Sequence, residues 1–100
     1  MSLQSPNSAH SNPLSLSCIG AGRTGSSLCN LLTKHVTIKQ IINRSAASAE
    51  YAVNFIGAGD PIALNDAGYH KFQPADLWMI STPDDHIEEA MQLLVDSDVL

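Results

Sequence analysis

Gly20, Gly22 and Gly25 stand at the spacing G-x-G-x-x-G, between a strand-like run from Leu14 to Ile19 and a helix-like run that opens at Arg23. Each glycine has a mechanical task if the chain turns sharply from a strand into a helix beneath a pyrophosphate. Gly20 permits the turn, Gly22 removes a β-carbon where backbone and phosphate must approach, and Gly25 lets the helix lie close against the first strand. Ala21, Arg23 and Thr24 fill the variable places of this expected cofactor-binding loop, with Arg23 and Thr24 emerging beside the pyrophosphate. The helix N-terminus supplies open amides and roughly half a positive charge, so the loop needs no lysine. It carries no G-K-[ST], which argues against the phosphate loop of an ATP- or GTP-binding protein. The alternative is a glycine-rich turn with no ligand.

Two further groups fall where a dinucleotide would pass. At the end of the second strand, where a carboxylate on the ribose 2′-hydroxyl marks NAD and an arginine accommodates the 2′-phosphate of NADP, the chain has Asn43-Arg44-Ser45. No acid stands there, so NADP is favoured over NAD, with Arg44 on the phosphate and adenine and the Ser45 hydroxyl beside it. An N-capping serine next to a surface arginine is the bland alternative. Ser81-Thr82-Pro83 follows the fourth strand at its carboxyl end, the edge at which open α/β sheets bind ligands. Its amides and the Thr82 hydroxyl are expected on the nicotinamide side, with Asp84 and Asp85 as helix-capping acids rather than catalytic ones.

The elements that must position these groups alternate. Leu14–Ile19 reads as a strand, and Arg23–Lys34 as a helix with Leu28, Leu31 and Leu32 at i, i+3, i+4. Val36–Asn43 reads as a second strand, and Ser45 as the N-cap of a helix with Ala49, Ala52, Val53 and Ile56 on one face. Gly57-Ala58-Gly59 follows a helix and is a stop rather than a second glycine motif. Pro61–Leu64 suggests a third strand, and the apolar run Leu77–Ile80, with Asp76 before it, a fourth. A last helix starts from Asp84 or Asp85, with Asp85 and Glu88 as a capping pair. Short connections between strands and helices imply right-handed βαβ units and an α/β fold with a doubly wound parallel sheet. Residues 1–13, rich in Ser, Asn and Pro, are expected to be a flexible leader or cloning remnant, leaving 14–100 as the N-terminal portion of a dinucleotide-binding domain in a longer protein.

Composition excludes several classes. The 100 residues carry a net charge of −5, and all but one of the ten acids lie beyond residue 59, so a nucleic-acid surface is not expected. No apolar run reaches the roughly 18 residues of a membrane span and no signal sequence opens the chain, which makes the cytoplasm the expected location. Cys18 and Cys29 show no C-x-x-C spacing and the four histidines are scattered, so they read as buried thiols and unrelated imidazoles rather than a metal set.

Taken together, Gly20-Ala21-Gly22-Arg23-Thr24-Gly25, Asn43-Arg44-Ser45 with Ala46-Ala47-Ser48-Ala49 after it, and Ala75-Asp76 leading to Ser81-Thr82-Pro83-Asp84-Asp85-His86-Ile87 resemble a family of Rossmann-like NADP-dependent oxidoreductases related to β-hydroxyacid dehydrogenases, 6-phosphogluconate dehydrogenase and pyrroline-5-carboxylate reductase. The match covers nearly all of residues 14–100, and its Pro-Asp-Asp-x-Ile ending is more specific than the glycine motif. The resemblance implies an NADP-binding domain followed by a helical domain that forms a homodimer, completes the substrate pocket and carries the proton donor, beyond Leu100. Hydride transfer to or from a small carbonyl, imine or hydroxy acid is the expected function. A non-catalytic NADP(H)-binding sensor and a site for FAD or S-adenosylmethionine are the competing readings, the last disfavoured by Arg44.

Overall fold

The computed structural model describes residues 14–64 and 72–99; the expected leader at 1–13 lies outside them. Four strands, β1 (Ser15–Ile19), β2 (Thr37–Asn43), β3 (Asp60–Ala63) and β4 (Leu77–Ile80), form one sheet in the order β3-β2-β1-β4. Every pairing is parallel. Helices α1 (Arg23–Leu32) and α2 (Ala46–Ile56) connect the first three strands, and α3 (Ile87–Ser97) follows β4 after a short 3-10 turn, Asp84–His86. The observed α/β architecture is consistent with a Rossmann-like fold.

Successive residues of a strand face opposite sides of a sheet, and the two sides of β1 feed two separate cores. Leu16 and Cys18 pack with Ile38, Ile41, Cys29, Ala52 and Ile56 in the layer covered by α1 and α2. Ile19 packs with Ile42, Ile62, Ala90 and Leu94 on the α3 side, where Phe72 and Trp78 also meet, their ring centroids 6.1 Å apart. Helices therefore cover both faces, and the connections leaving β1 and β4 run to opposite sides. That divergence opens a crevice at the carboxyl edge of the sheet.

Pairing between β1 and β2 is interrupted once. Leu16 pairs with Ile38 but Cys18 with Ile41, so β2 carries one extra residue opposite Ser17. The bulge is satisfied internally: Ser17 Oγ accepts from the Gln40 amide at 3.1 Å, and Gln40 Oε1 accepts from the Gln73 amide at 2.9 Å. At the opposite end of the sheet, Asp76 accepts from the Ser15 amide at 2.8 Å and from its hydroxyl at 3.1 Å, while the Asp76 amide donates back to Ser15 Oγ at 2.9 Å. These bonds, with Lys39 nearby, hold the Asp76 carboxyl below the usual carboxylate range and fix β4 beside β1.

Element boundaries differ from the sequence expectations by one or two residues at most termini, but two differences are physical. Leu28 and Leu31, expected on the buried side of α1, are 45% and 69% exposed. The inward face is Gly25, Ser26 and Cys29, because the close approach at Gly25 turns that side of the helix to the sheet and carries Leu28 and Leu31 outward. The Asp85–Glu88 capping pair is also not formed. The 3-10 turn delays α3, His86 becomes its N-cap residue without a side-chain cap bond, and Glu89 instead reaches His86 Nδ1 at 2.9 Å. Ser45 does cap α2, accepting from the Ser48 amide at 3.2 Å, and Gly57 ends it in the left-handed region at φ 87°.

Candidate functional site

The glycine loop leaves β1 while still bonded to the sheet, the Gly20 amide donating to Ile42 O at 2.8 Å. It then tightens, with the Gly22 amide donating to Gly20 O at 2.8 Å, and α1 begins where Ser26 N donates to Gly22 O at 2.9 Å. Gly20 has φ 79°, and a β-carbon there would lie 3.0 Å from the Thr82 amide nitrogen, so both conformation and crowding require glycine. A β-carbon on Gly25 would stand 2.8 Å from Ser81 Oγ and 2.9 Å from Ser81 Cβ. The loop is therefore seated directly on the segment after β4. Gly25→Ala is expected to cost about 1–3 kcal/mol of stability through this overlap, and Ser81→Gly in the same chain to restore most of it. Urea denaturation of the single and double variants checks the coupling; a double variant no more stable than Gly25→Ala would rule it out.

Asn43 locks this loop to the second helix. Buried at 6% exposure, its Oδ1 accepts from the Ala21 amide at 2.7 Å while Nδ2 donates to Ala21 O at 3.1 Å, to Ser48 O at 3.2 Å and to Ser48 Oγ at 2.9 Å. Its amide is thus committed to the protein on both sides, which makes it a positioning residue for the loop. The first turn of α1 is left open, since no side chain caps it and no acid occupies it.

A cleft of about 250 Å³ lies at the carboxyl edge of the sheet. Gly20, Ala21 and Gly22 line it from below, Asn43 and Arg44 from the end of β2, and Thr82 and Pro83 from the end of β4, so three sequence segments singled out for chemistry meet in one place. Ile19, Ile42 and Leu64 form its apolar floor and wall. Thr82 Oγ1 is screened from solvent and has no hydrogen-bond partner among the described residues. Arg23 borders a neighbouring cleft instead, together with Gly22 and Ser48. Thr24, Gly25, Ser45 and Ser81 line neither: Gly25 and Ser81 pack on each other, Ser45 caps α2, and Thr24 is exposed on the first turn of α1. Among the described residues, neither cleft is lined by a carboxylate.

Two polar residues lining the first cleft were not legible as such in the sequence. His86 borders the first cleft, its Nδ1 paired with Glu89 and its Nε2 4.0 Å from Asp85. The available signal was its position three residues after Pro83 at the head of a helix, with an acid at i+3. Ser48 lines both clefts and receives the Asn43 amide.

Beneath the loop, Cys18 and Cys29 are free thiols, both with no exposed surface. A thiol–thiol hydrogen bond to Cys29, together with burial, pushes Cys18 up, so it stays protonated and serves the core rather than nucleophilic chemistry. Among the described residues no helix is long and apolar enough to cross a membrane.

The fold and cleft together define an α/β protein with a parallel sheet and a ligand-sized crevice at its carboxyl edge. Comparison of the chain with protein-family models and with curated proteins finds no match to either.

Proposed function

We propose that this chain is the NADP-binding part of an oxidoreductase acting on a small carbonyl, imine or hydroxy acid. One observation carries the reading. Gly20 and Gly25 are glycines for reasons internal to the protein, but Gly22 is not: its φ is −85°, and a β-carbon on it would meet nothing within 4 Å. Its missing side chain serves a group outside the protein, at the mouth of an uncapped helix whose amides and dipole favour an anion. The carboxylate-free lining fits the same ligand, an extended diphosphate with polar sugars.

In this reading the first-turn amides of α1 hold the pyrophosphate, Arg44 and the start of α2 hold the ribose 2′-phosphate, and Thr82 and Pro83 border the nicotinamide half. The nicotinamide supplies or accepts the hydride. The chain's own residues bind and orient it, while Ile19, Ile42 and Leu64 keep water from the cleft floor. His86, its Nδ1 2.9 Å from Glu89 Oε1, lines the cleft, and in keeping with the family resemblance the principal proton donor would belong to a helical, dimer-forming domain. Cytoplasmic location and a homodimer belong to the same proposal.

A parallel titration with NADPH and NADH tests it, followed by energy transfer from Trp78, the only tryptophan, which lies on β4 a few residues before Thr82. The expected result is saturable binding with NADPH preferred by about tenfold or more, the worth of one charged hydrogen bond. A folded full-length protein that takes up neither cofactor would end the reading.

A further inference from the structure

A second cleft, of about 470 Å³, adjoins the first. Ala21, Gly22 and Ser48 line both, so the two open onto each other across a saddle made by the glycine loop and the first turn of α2. The walls peculiar to the second cleft are Arg23 and Ser26 of α1 and Tyr51 and Phe55 of α2. Tyr51 and Phe55 are 77% and 53% exposed, one turn apart on the same side of α2. A cation, two serine hydroxyls, a phenol and two aromatic faces are groups that suit a phosphorylated nucleoside.

Charge sharpens the assignment. Arg44 lines the first cleft and Arg23 the second, one on either side of the saddle, and neither has a hydrogen bond or ion pair with another described residue. In a chain of net charge −5 whose acids lie overwhelmingly beyond residue 59, these two guanidinium groups face a space bordered by no carboxylate among the described residues. Exposed guanidinium groups with no partner in the chain are free to make charge-assisted hydrogen bonds to a bound anion. In the NADP reading the pyrophosphate takes the uncapped first-turn amides of α1, which leaves the two guanidinium groups for a second anion.

We infer that Arg23, with Ser48 and Tyr51, forms the second half of a site for the phosphomonoester on the adenosine ribose, so that two arginines rather than one set the preference for the phosphorylated dinucleotide. The inference rests on the NADP reading above. It departs from the sequence expectation for Arg23, which put this side chain beside the pyrophosphate.

The test is binding of NADPH, NADH and 2′,5′-ADP to the full-length protein and its Arg23→Ala and Arg23→Lys variants, with thermal melts to confirm that the exposed substitutions leave folding intact. Arg23→Ala is expected to weaken NADPH and 2′,5′-ADP about tenfold while NADH stays within about twofold, and Arg23→Lys to recover part of the loss. Equal losses for NADPH and NADH would return Arg23 to the pyrophosphate and overturn the inference. No loss for any ligand would leave Arg23 in solvent and overturn it as well. If the unmodified protein binds NADPH and NADH alike, it is the NADP reading that fails and takes the inference with it.

Discussion

Asn43→Asp is expected to lower stability by about 3 kcal/mol at neutral pH, and the deficit is expected to close as the pH falls. The replacement is isosteric, and one carboxylate oxygen still accepts from the Ala21 amide. The other takes the place of Nδ2 and faces acceptors, Ala21 O and Ser48 O, while losing its donation to Ser48 Oγ. A buried charge surrounded by carbonyl oxygens is raised in pKa above its value in the unfolded chain. Below the ordinary carboxylate value both states are protonated, the acid O–H donates where Nδ2 did, and the penalty is small. As the pH rises through that value the unfolded state ionises first, and the penalty grows until the folded-state pKa is passed. Urea denaturation of variant and parent at matched pH, taken as a difference so that carboxylates such as Asp76 cancel, reads this directly. A deficit that does not change with pH would mean that the Asn43 amide is not donating to these carbonyls.

Arg44→Ala is expected to weaken NADPH by about tenfold or more and to leave NADH nearly unchanged, since a charged hydrogen bond is worth about 1.5–3 kcal/mol and only NADPH carries the phosphate that makes it. Arg44 is exposed, borders the first cleft and pairs with no other described residue, so its removal disturbs little besides charge at the end of β2. Its neighbour Ser45 already accepts the Ser48 amide as the α2 cap and has only its hydroxyl proton to offer a ligand, which leaves the guanidinium as the stronger contact. Parallel titrations decide the matter; losses of equal size for the two cofactors would place Arg44 on a feature they share.

The parallel sheet was legible because its signals are local. Glycines at the first turn, β-branched runs in β2 and a serine cap before α2 each act over a few residues, and all agree with one architecture. What could not be read was how those elements rotate against each other. Leu28 and Leu31 satisfy the helical spacing, but the choice of inward face was made by Gly25 meeting Ser81, a contact between residues 56 positions apart in the chain. The site divides in the same way. Gly20, Ala21, Gly22, Asn43, Arg44, Thr82 and Pro83 line the cleft, but the Asn43 amide is taken up by the loop it supports, and Ser81 packs on Gly25 outside the cleft. His86 and Ser48 enter the cleft through a delayed helix start and a saddle shared by two clefts, neither of which has a sequence signature.

The extra residue in β2 opposite Ser17 acts as a parity switch for the whole site. In an unbroken strand, positions 38 and 43 differ by an odd number and point to opposite sides of the sheet. With the bulge, Ile38 and Ile41 share the α1–α2 layer and Ile42 the α3 layer, so Asn43 falls on the side where Ala21 and Ser48 wait for its amide. The hold on the glycine loop thus depends on a residue count in the middle of a strand, far from any motif. A relative with the same glycines but a regular second strand would aim that position at the opposite core and need another means of fastening its loop.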